Sequence, residues 1–334
     1  MQTGTCLQWI NTYVYNKFLE ILNMNKALIS FFTLAILFVL SCDKVEYPNV
    51  GTVIVNESCD TVFSFSAATS NVRNVLVEDF TGHLCGNCPE AAYELEQLHG
   101  VYGDTLILLS IHPNTSFNEV QTGTGKYETD WRIEEAEQIF NEFYMPSSLP
   151  RLMINREEST PPFYFFNSNQ LSTEVPSRMG QLADFAIKCS GNMLADRTIC
   201  AKVEVEVLNT VSSTYNVVNC LVEDSIVDYQ TVYPGQHPDY TGASDDTYSN
   251  YVHRHVLRDI FGHYGAVEGG APLSGSIWGD PIVGSTNAGD IKQFVISSTP
   301  IPAEWDENHM YILSYVFDNA TKEILQVIET KIGS

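Results

Sequence analysis

Two cysteines separated by two residues, Cys85-Gly86-Asn87-Cys88, constrain the fold of this chain more than any other feature. They lie between residues 75–80, a run typical of a buried strand, and residues 89–99, where apolar side chains recur at helical spacing. A helix that begins at the cysteines presents free N–H groups and the positive end of its dipole to the first sulfur, which favours the reactive thiolate. The pattern therefore predicts thiol–disulfide chemistry with Cys85 as the nucleophile.

Two other uses of the cysteine pair remain open: a structural or vestigial disulfide, and half of a zinc site. Closing a loop of about twenty residues stabilises a fold by roughly 3 kcal/mol, whereas the four-residue ring contributes only roughly 2 kcal/mol before strain is subtracted. The four-residue ring thus stabilises the fold only weakly, which favours a redox role. A zinc site needs a second pair of ligands, and the chain has no other such cysteine pair. We therefore expect neither a metal nor a cofactor.

Composition indicates a folded protein that does not bind nucleic acid. The chain has 334 residues, of which 44% are hydrophobic, enough for two ordinary domains or one large domain. Its 41 acidic and 17 basic residues give a formal net charge of -24, which repels phosphate backbones and anionic lipid headgroups. The acidic residues are dispersed along the chain, as on an ordinary solvated surface.

The N-terminal region carries an export signal. Lys26 is followed by an apolar run over residues 27–40 and then by Ser41-Cys42, a pattern typical of a secretory signal and too short for a membrane span. Residues 39–42 also resemble a bacterial lipobox, in which Cys42 is lipidated and becomes the first residue of the mature protein. Residues 1–41 are thus a signal region, and Met24 marks the true start if residues 1–23 are not translated; a long n-region and an uncleaved anchor are the alternatives. Residues 42–70 form a tether and N-terminal extension.

Beyond the tether, the patterns predict two domains. Residues 71–189 read as strand, helix, strand, helix and strand, which is the order of an α/β domain. Residues 193–334 contain alternating strands joined by Gly-, Pro- and Ser-rich loops, which indicates an all-β, sandwich-like domain. The strands at residues 310–317 and 323–330 flank a tight loop and should form a hairpin.

The remaining cysteines suggest a structural disulfide, since exported proteins commonly contain them. Residues 198–208 and 215–223 both read as strands, and the polar residues between them suggest a hairpin turn. Such a hairpin brings Cys200 close to Cys220, so this pair is the first choice for a bridge. Cys189 bonded to either of them is the second.

The segment around the cysteine pair resembles the active site of thioredoxin-like proteins. Val77-Glu78-Asp79-Phe80 precedes Cys85 by four intervening residues, Pro89 follows Cys88, and Leu149-Pro150 stands before a strand. In that family an acid six residues before the first cysteine is buried near the second and helps to move its proton, which implies this role for Asp79. The resemblance also implies that Pro150 is the cis-proline that packs on the disulfide and shapes the substrate groove.

Three further segments resemble the Omp28-related outer-membrane lipoproteins of gram-negative bacteria, which join a thioredoxin-like domain to a C-terminal β-rich domain. They are residues 81–89, 110–112 and 251–258, and the resemblance covers roughly residues 70–334. Leu84 stands where classical thioredoxins carry tryptophan, and residues 114–130 form an inserted polar loop. Both departures argue against ordinary thioredoxin substrate recognition.

Several histidines invite functional and structural readings side by side. His83 lies two residues before Cys85, where an imidazolium would lower the thiol pKa, although a solvated loop histidine is the more ordinary explanation. His253 and His255, with His237 or His263, have the composition of a metal site, but a hydrogen-bonded histidine pair is the ordinary explanation.

Other polar residues of the β domain are ambiguous in the same way. Calcium binding by Asp239, Asp245 and Asp246 lacks the spacing of a known loop. Five tyrosines suggest either a ligand surface or core packing; they are Tyr229, Tyr233, Tyr240, Tyr248 and Tyr251.

These observations favour a lipid-anchored protein of the cell envelope, at the outer membrane, that exchanges disulfides with other exported proteins. Cys85 would attack a partner's disulfide, Cys88 would resolve the mixed disulfide, and Asp79 would take or return the proton. The alternative is a non-catalytic surface binding protein, adhesin-like, in which the thioredoxin fold is only a scaffold. A spacer or assembly component is a third possibility.

Overall fold

The computed structural model describes residues 59, 65, 71–144, 146, 148–157, 166–261, 277–282 and 287–333. The chain divides into two compact units, Met1–Thr52 and Val53–Ser334, and all described residues belong to the second. The predicted signal region, the predicted lipidation site Cys42, most of the predicted tether and His263 lie outside the described residues. Within the described ranges, no helix is both long and apolar enough to cross a membrane.

Three helices and a larger set of strands make up the described part of the second unit. The helices are α1 (Cys88–Tyr102), α2 (Glu134–Glu142) and α3 (Leu171–Arg178). The first half of the unit contains strands β1 (Val75–Phe80), β2 (Leu106–Ile111), β3 (Arg151–Ile154), β4 (Phe185–Met193), β5 (Ile199–Val207) and β6 (Tyr215–Glu223). The second half contains β7 (Ile226–Thr231), β8 (Thr247–His253), β9 (Val256–Phe261), β10 (Asp280–Pro281), β11 (Ile291–Ser297), β12 (Met310–Asp318) and β13 (Ile324–Lys331).

One large mixed sheet forms the centre of the unit. Its strand order is β13-β12-β6-β9-β2-β1-β3, and β10 pairs with β6. β1 runs parallel to β2 and antiparallel to β3, while β9 pairs with both β2 and β6. Strands from both sides of the predicted boundary at residues 189–193 therefore share one sheet, and the boundary itself falls within β4.

Two smaller sheets complete the fold, and they correct one prediction. β11, β5 and β4 form a three-stranded sheet, and β7 pairs with β8. The predicted hairpin between residues 198–208 and 215–223 is wrong, because β5 and β6 belong to different sheets. The predicted hairpin of the last two strands is confirmed by the antiparallel pairing of β12 with β13.

The core lies on both faces of the large sheet. Alternate residues of β1 point to opposite faces: Leu76 and Phe80 join a cluster that includes α2, whereas Val75 and Val77 pack with Ala91 of α1. On the β6–β12 half, a further cluster lies between the large sheet and the three-stranded sheet. Because Asp79 shares the alternation of Val75 and Val77, its side chain lies on the α1 face of the sheet.

Candidate functional site

The cysteine turn joins the end of β1 to the start of α1. Cys85 and Cys88 are bonded to each other, and Cys88 is the first residue of the helix. The backbone N–H of Cys88 donates to the carbonyl oxygen of Cys85 at 3.2 Å, and Pro89 occupies the first turn, where its missing N–H costs nothing. The reading as half of a zinc site is wrong, because the two sulfurs bind each other.

Asp79 is a buried carboxyl group beside this turn. Its side chain and that of Cys88 line one small cavity of about 40 Å³. Its Oδ1 atom is buried without a hydrogen-bond partner. Burial raises the pKa of Asp79 to about 7, because a charged carboxylate is poorly solvated there. The acid is thus poised to exchange a proton near neutral pH.

Two histidines line the same cavity, and the sequence did not single them out for this site. His112 follows Ser110 by two residues, and Ser110 is aligned with Asp79 in the parallel pairing of β1 and β2. The Nδ1 atom of His112 is buried without a partner, whereas His253 places Nε2 3.3 Å from the carbonyl oxygen of Tyr229. Burial is the main reason why the pKa of His112 lies well below its usual range and that of His253 falls to about 4. The sequence signal for His112 was its position two residues after Ser110, which places it on the same face of the large sheet as Asp79.

Pro150 lies at the same end of the sheet as the cysteine turn. The Leu149–Pro150 peptide bond is cis, which confirms the conformation implied by the resemblance. Phe80, the last residue of β1, is aligned with Arg151, the first residue of β3, in the antiparallel pairing of these strands. Pro150 precedes Arg151 and therefore lies just beyond the end of β1. Leu149 belongs to the same apolar cluster as Cys85 and Cys88.

His83 is a buried neutral histidine rather than a cation or a solvated loop residue. Its Nδ1 accepts a hydrogen bond from Trp131 Nε1–H at 2.9 Å, and its Nε2 lies 3.1 Å from the carbonyl oxygen of Glu119. Since Nδ1 accepts, Nε2 carries the proton and donates it. Burial lowers the pKa of His83 below its ordinary value. Both sequence-based readings of this residue are therefore wrong, and His83 ties the cysteine turn to the inserted loop.

A segment of the β-rich region is hydrogen-bonded to the cysteine turn. We call residues 230–233, at the end of β7, the strap. The N–H groups of Thr231 and Tyr233 donate to the carbonyl oxygens of His83 at 2.8 Å and Gly86 at 2.9 Å. Only 1% of Cys85 and 2% of Cys88 are exposed. The strap thus pairs with the backbone of the cysteine turn, and both cysteines of the site that the sequence predicted to be reactive are buried.

Three other aromatic side chains of the β-rich region, Tyr240, Tyr251 and His237, pack against each other. The ring centroid of Tyr240 lies 4.8 Å from that of Tyr251 and 4.7 Å from that of His237. These contacts agree with the interpretation of the tyrosines as packing residues. Within the described ranges, no three His, Cys, Asp or Glu side chains are grouped to hold a metal ion. The described residues therefore offer no grouped ligand set to the histidine metal site or to the calcium site.

The structural disulfide differs from the predicted one. Cys200 is bonded to Cys59, with Cα atoms 5.4 Å apart, while Cys189 and Cys220 are free. The predicted bridge between Cys200 and Cys220 is wrong because β5 and β6 are not paired. Both bridges proposed for Cys189 are also wrong.

Comparison with known proteins identifies the family. The model of the outer membrane protein Omp28 family matches residues 137–334 of the chain. The chain belongs to the Omp28 family. This membership confirms the predicted location in the cell envelope, at the outer membrane. The matched region contains the strap and begins after Cys88.

Three solved structures match this chain, and the first of them shows a likeness of fold. HBP35 of Porphyromonas gingivalis is 14% identical, with a TM-score of 0.54, and the match covers 79% of this chain and 76% of that chain. A domain of the outer membrane lipoprotein Omp28 from the same organism is 19% identical, covering 45% of this chain and 89% of that chain, with a TM-score of 0.27. A protein of Agrobacterium tumefaciens is 12% identical, covering 80% and 97%, with a TM-score of 0.42. No curated protein gives a significant match.

Proposed function

We propose that this Omp28-family protein exchanges disulfides with other exported proteins through Cys85 and Cys88. One observation carries the proposal. Asp79 is buried, its Oδ1 atom has no hydrogen-bond partner, and it lines the same cavity as Cys88, the first residue of α1. A structural disulfide needs no such acid, and burying one without a partner is unfavourable. A buried acid with a pKa of about 7 suits proton transfer to or from Cys88.

The arrangement around the site supports a thioredoxin-like fold for residues 71–189. β1 and β2 are parallel and are connected through α1, and β3 is antiparallel to β1. A cis-proline precedes β3, at the end of the sheet where α1 begins. These are the features that the resemblance to thioredoxin-like proteins implies, and we propose that the β-rich remainder of the chain orients this half.

We further propose that a lipid on Cys42 anchors the protein to the outer membrane. Residues 39–42 have the lipobox pattern, and membership of an outer-membrane family agrees with it. The exported proteins that carry the thiols or disulfides would then lie in the cell envelope.

The exchange conserves atoms and electrons. A partner thiolate attacks Sγ of Cys85, the Cys85–Cys88 bond breaks, and Cys88 leaves as a thiolate that takes the proton of Asp79. A second partner thiol attacks the mixed disulfide and releases Cys85, so that the partner is oxidised and the protein is reduced. In the reverse direction, the Cys85 thiolate attacks a partner disulfide, the partner S–S bond breaks, and one partner thiolate leaves. Asp79 then removes the proton of Cys88, and the Cys88 thiolate attacks Sγ of Cys85 and releases the second partner thiolate, so that the partner is reduced and the protein is oxidised.

The test measures the reactivity of Cys85 in the reduced protein. We expect its alkylation rate, followed by mass spectrometry of the Cys85 peptide, to titrate with a pKa well below the free-thiol value of about 8.5. Cys85→Ser should lose reduction of a disulfide-linked test peptide, whereas Cys88→Ser should accumulate a mixed disulfide with it. An ordinary thiol pKa together with unchanged peptide reduction in Cys85→Ser would rule out the proposal.

The second candidate is a surface binding protein that uses the fold only as a scaffold. The near-complete burial of both sulfurs favours it, because a buried disulfide reacts slowly with partners. In that case Cys85→Ser and Cys88→Ser together should leave binding to outer-membrane partners unchanged. The same double variant abolishes the first function, so one pair of substitutions separates the two.

A further inference from the structure

We propose that Tyr233 is a lid on the Cys85–Cys88 disulfide, and that an extended segment of the exchange partner, with a flat aromatic side chain beside its cysteine, displaces this lid. The inference rests on the proposed disulfide exchange and specifies the kind of polypeptide that the site accepts. It follows from the packing of Tyr233 on Gly86, from the backbone pairing of the strap, and from the unequal anchoring of its two ends.

Tyr233 packs directly on the residue between the two cysteines. A Cβ atom built on Gly86 would lie 2.4 Å from Cδ1 and 2.5 Å from Cε1 of the tyrosine ring. Such distances are well inside van der Waals contact, so the ring and the Gly86 backbone leave no space for a side chain. A flat aromatic ring fits against the Gly86 backbone at this distance. Because Gly86 lies between the two cysteines, which are only 1% and 2% exposed, the ring would have to move before a partner sulfur could approach the turn.

The strap uses the hydrogen bonds that an added peptide strand would use. Thr231 and Tyr233, two residues apart, both donate from their backbone N–H groups to the cysteine turn. Alternate donors of this kind are the pattern by which an extended peptide adds to an exposed edge. A partner segment in the place of Tyr233 would donate its own N–H to the Gly86 carbonyl oxygen. The chain thus occupies its own peptide site.

The two ends of the strap are held unequally. Gln230 and Thr231 pair with β8, and the Thr231 hydroxyl lies 2.9 Å from that of Tyr127. The side chain of Gln230 also donates to the carbonyl oxygens of Gly82 and Cys85. Tyr233 begins a turn closed by the N–H of Gln236, and 46% of Tyr233 is exposed. Lifting the Tyr233 end therefore breaks few contacts and leaves the rest of the strap in place.

The experiment measures how fast the Cys85–Cys88 disulfide is reduced, by alkylation and mass spectrometry. The reductants are dithiothreitol and two unstructured single-cysteine peptides, used in excess, that differ by Tyr or Ala beside the cysteine. Tyr233→Ala should raise the rate with dithiothreitol about tenfold, equivalent to about 1.4 kcal/mol of opening free energy. Gly86→Ala should raise it similarly, since its Cβ expels the ring, and the double variant should add no further increase. Tyr144→Ala, which removes an exposed tyrosine beyond α2, is the matched control and should have no effect.

The peptides test the identity of the partner. In the unsubstituted protein the Tyr peptide should react several-fold faster than the Ala peptide, and this preference should disappear in Tyr233→Ala. Equal rates for the two peptides, or a dithiothreitol rate that does not depend on Tyr233, would overturn the inference. The proposed function fails differently: the opened Tyr233→Ala disulfide would then react with dithiothreitol, but its reduced Cys85 would show an ordinary thiol pKa and would not reduce a peptide disulfide.

Discussion

Asp79 and His112 each place a buried polar atom without a partner, Oδ1 and Nδ1, beside the cavity that Cys88 also lines. A cavity of about 40 Å³ is large enough to hold a water molecule. Because burying a polar atom without a partner is unfavourable, the two atoms support the proposed proton transfer through Asp79 more than a purely structural role.

Asp79→Asn should stabilise the protein at alkaline pH and slow the exchange. Burial raises the pKa of Asp79 from its ordinary value to about 7, so the folded protein keeps a proton that the unfolded chain releases as pH rises above about 4. Stability therefore falls between about pH 4 and pH 7, and the substitution should restore up to about 4 kcal/mol at pH 8. Urea unfolding at pH 4 and pH 8 measures this difference.

The same substitution should slow disulfide reduction near pH 7, because Asn cannot give Cys88 a proton. Asp104→Asn, on the exposed turn after α1, is the control and should change neither property. A variant no more stable than the unsubstituted protein at pH 8 would show that Asp79 is not the neutral acid described above.

His253 should make the fold sensitive to acid. Burial lowers its pKa to about 4, so between about pH 6.5 and pH 4 the unfolded chain binds a proton that the folded protein does not. Stability is therefore lost as pH falls through this window, by up to about 3 kcal/mol from this group. Asp228, Arg258 and His83 also act on it, with Asp228 favouring and the other two opposing protonation.

The unfolding temperature of His253→Phe should therefore fall less steeply between pH 7 and pH 4 than that of the unsubstituted protein. Part of the acid sensitivity should remain, because burial also lowers the pKa values of His83 and His112. An equally steep slope in His253→Phe would contradict the assignment.

The cysteine turn and the elements on either side of it could be predicted from the sequence, whereas the strap that packs on the turn could not. Short-range patterns placed β1 and the start of α1, because alternation and helical spacing involve neighbouring residues. Asp79 was implied by the resemblance to thioredoxin-like proteins. The contact of Tyr233 with Gly86 depends on how β7 packs across the turn, which no local pattern encodes. His83 was misread for the same reason, since its partners Trp131 and Glu119 are distant in sequence.

The buried ion pair of Arg156 with Glu78 should be essential for stability. Arg156 Nε and Nη2 donate to the two carboxylate oxygens of Glu78 at 2.8 and 2.6 Å, and Nη2 also donates to the Tyr315 hydroxyl at 3.0 Å. Both members of the pair are almost fully buried. Arg156→Met leaves the carboxylate without its partner and should cost about 3–5 kcal/mol in urea unfolding.

Two further variants test whether this loss arises from the stranded carboxylate. Glu78→Met combined with Arg156→Met should lose less than Arg156→Met alone, because no buried charge remains. Arg132→Met removes an ion pair with Asp130 that is partly exposed, and should cost no more than about 1 kcal/mol. If the double variant is less stable than Arg156→Met, the charge is not the cause.

The free thiols of the mature protein can be alkylated after unfolding without reduction, and its peptides then mapped. Cys189 and Cys220 should be alkylated, and the Cys59 peptide should be disulfide-linked to the Cys200 peptide. The bond between Cys59 and Cys200 spans 141 residues of sequence, so Cys59→Ser should cost about 2–5 kcal/mol in urea unfolding. Cys220→Ser, at a buried free cysteine, should leave the peptide linkage unchanged. A Cys200–Cys220 linkage would instead require β5 and β6 to be neighbours, which contradicts the pairing of β5 with β4 and β11.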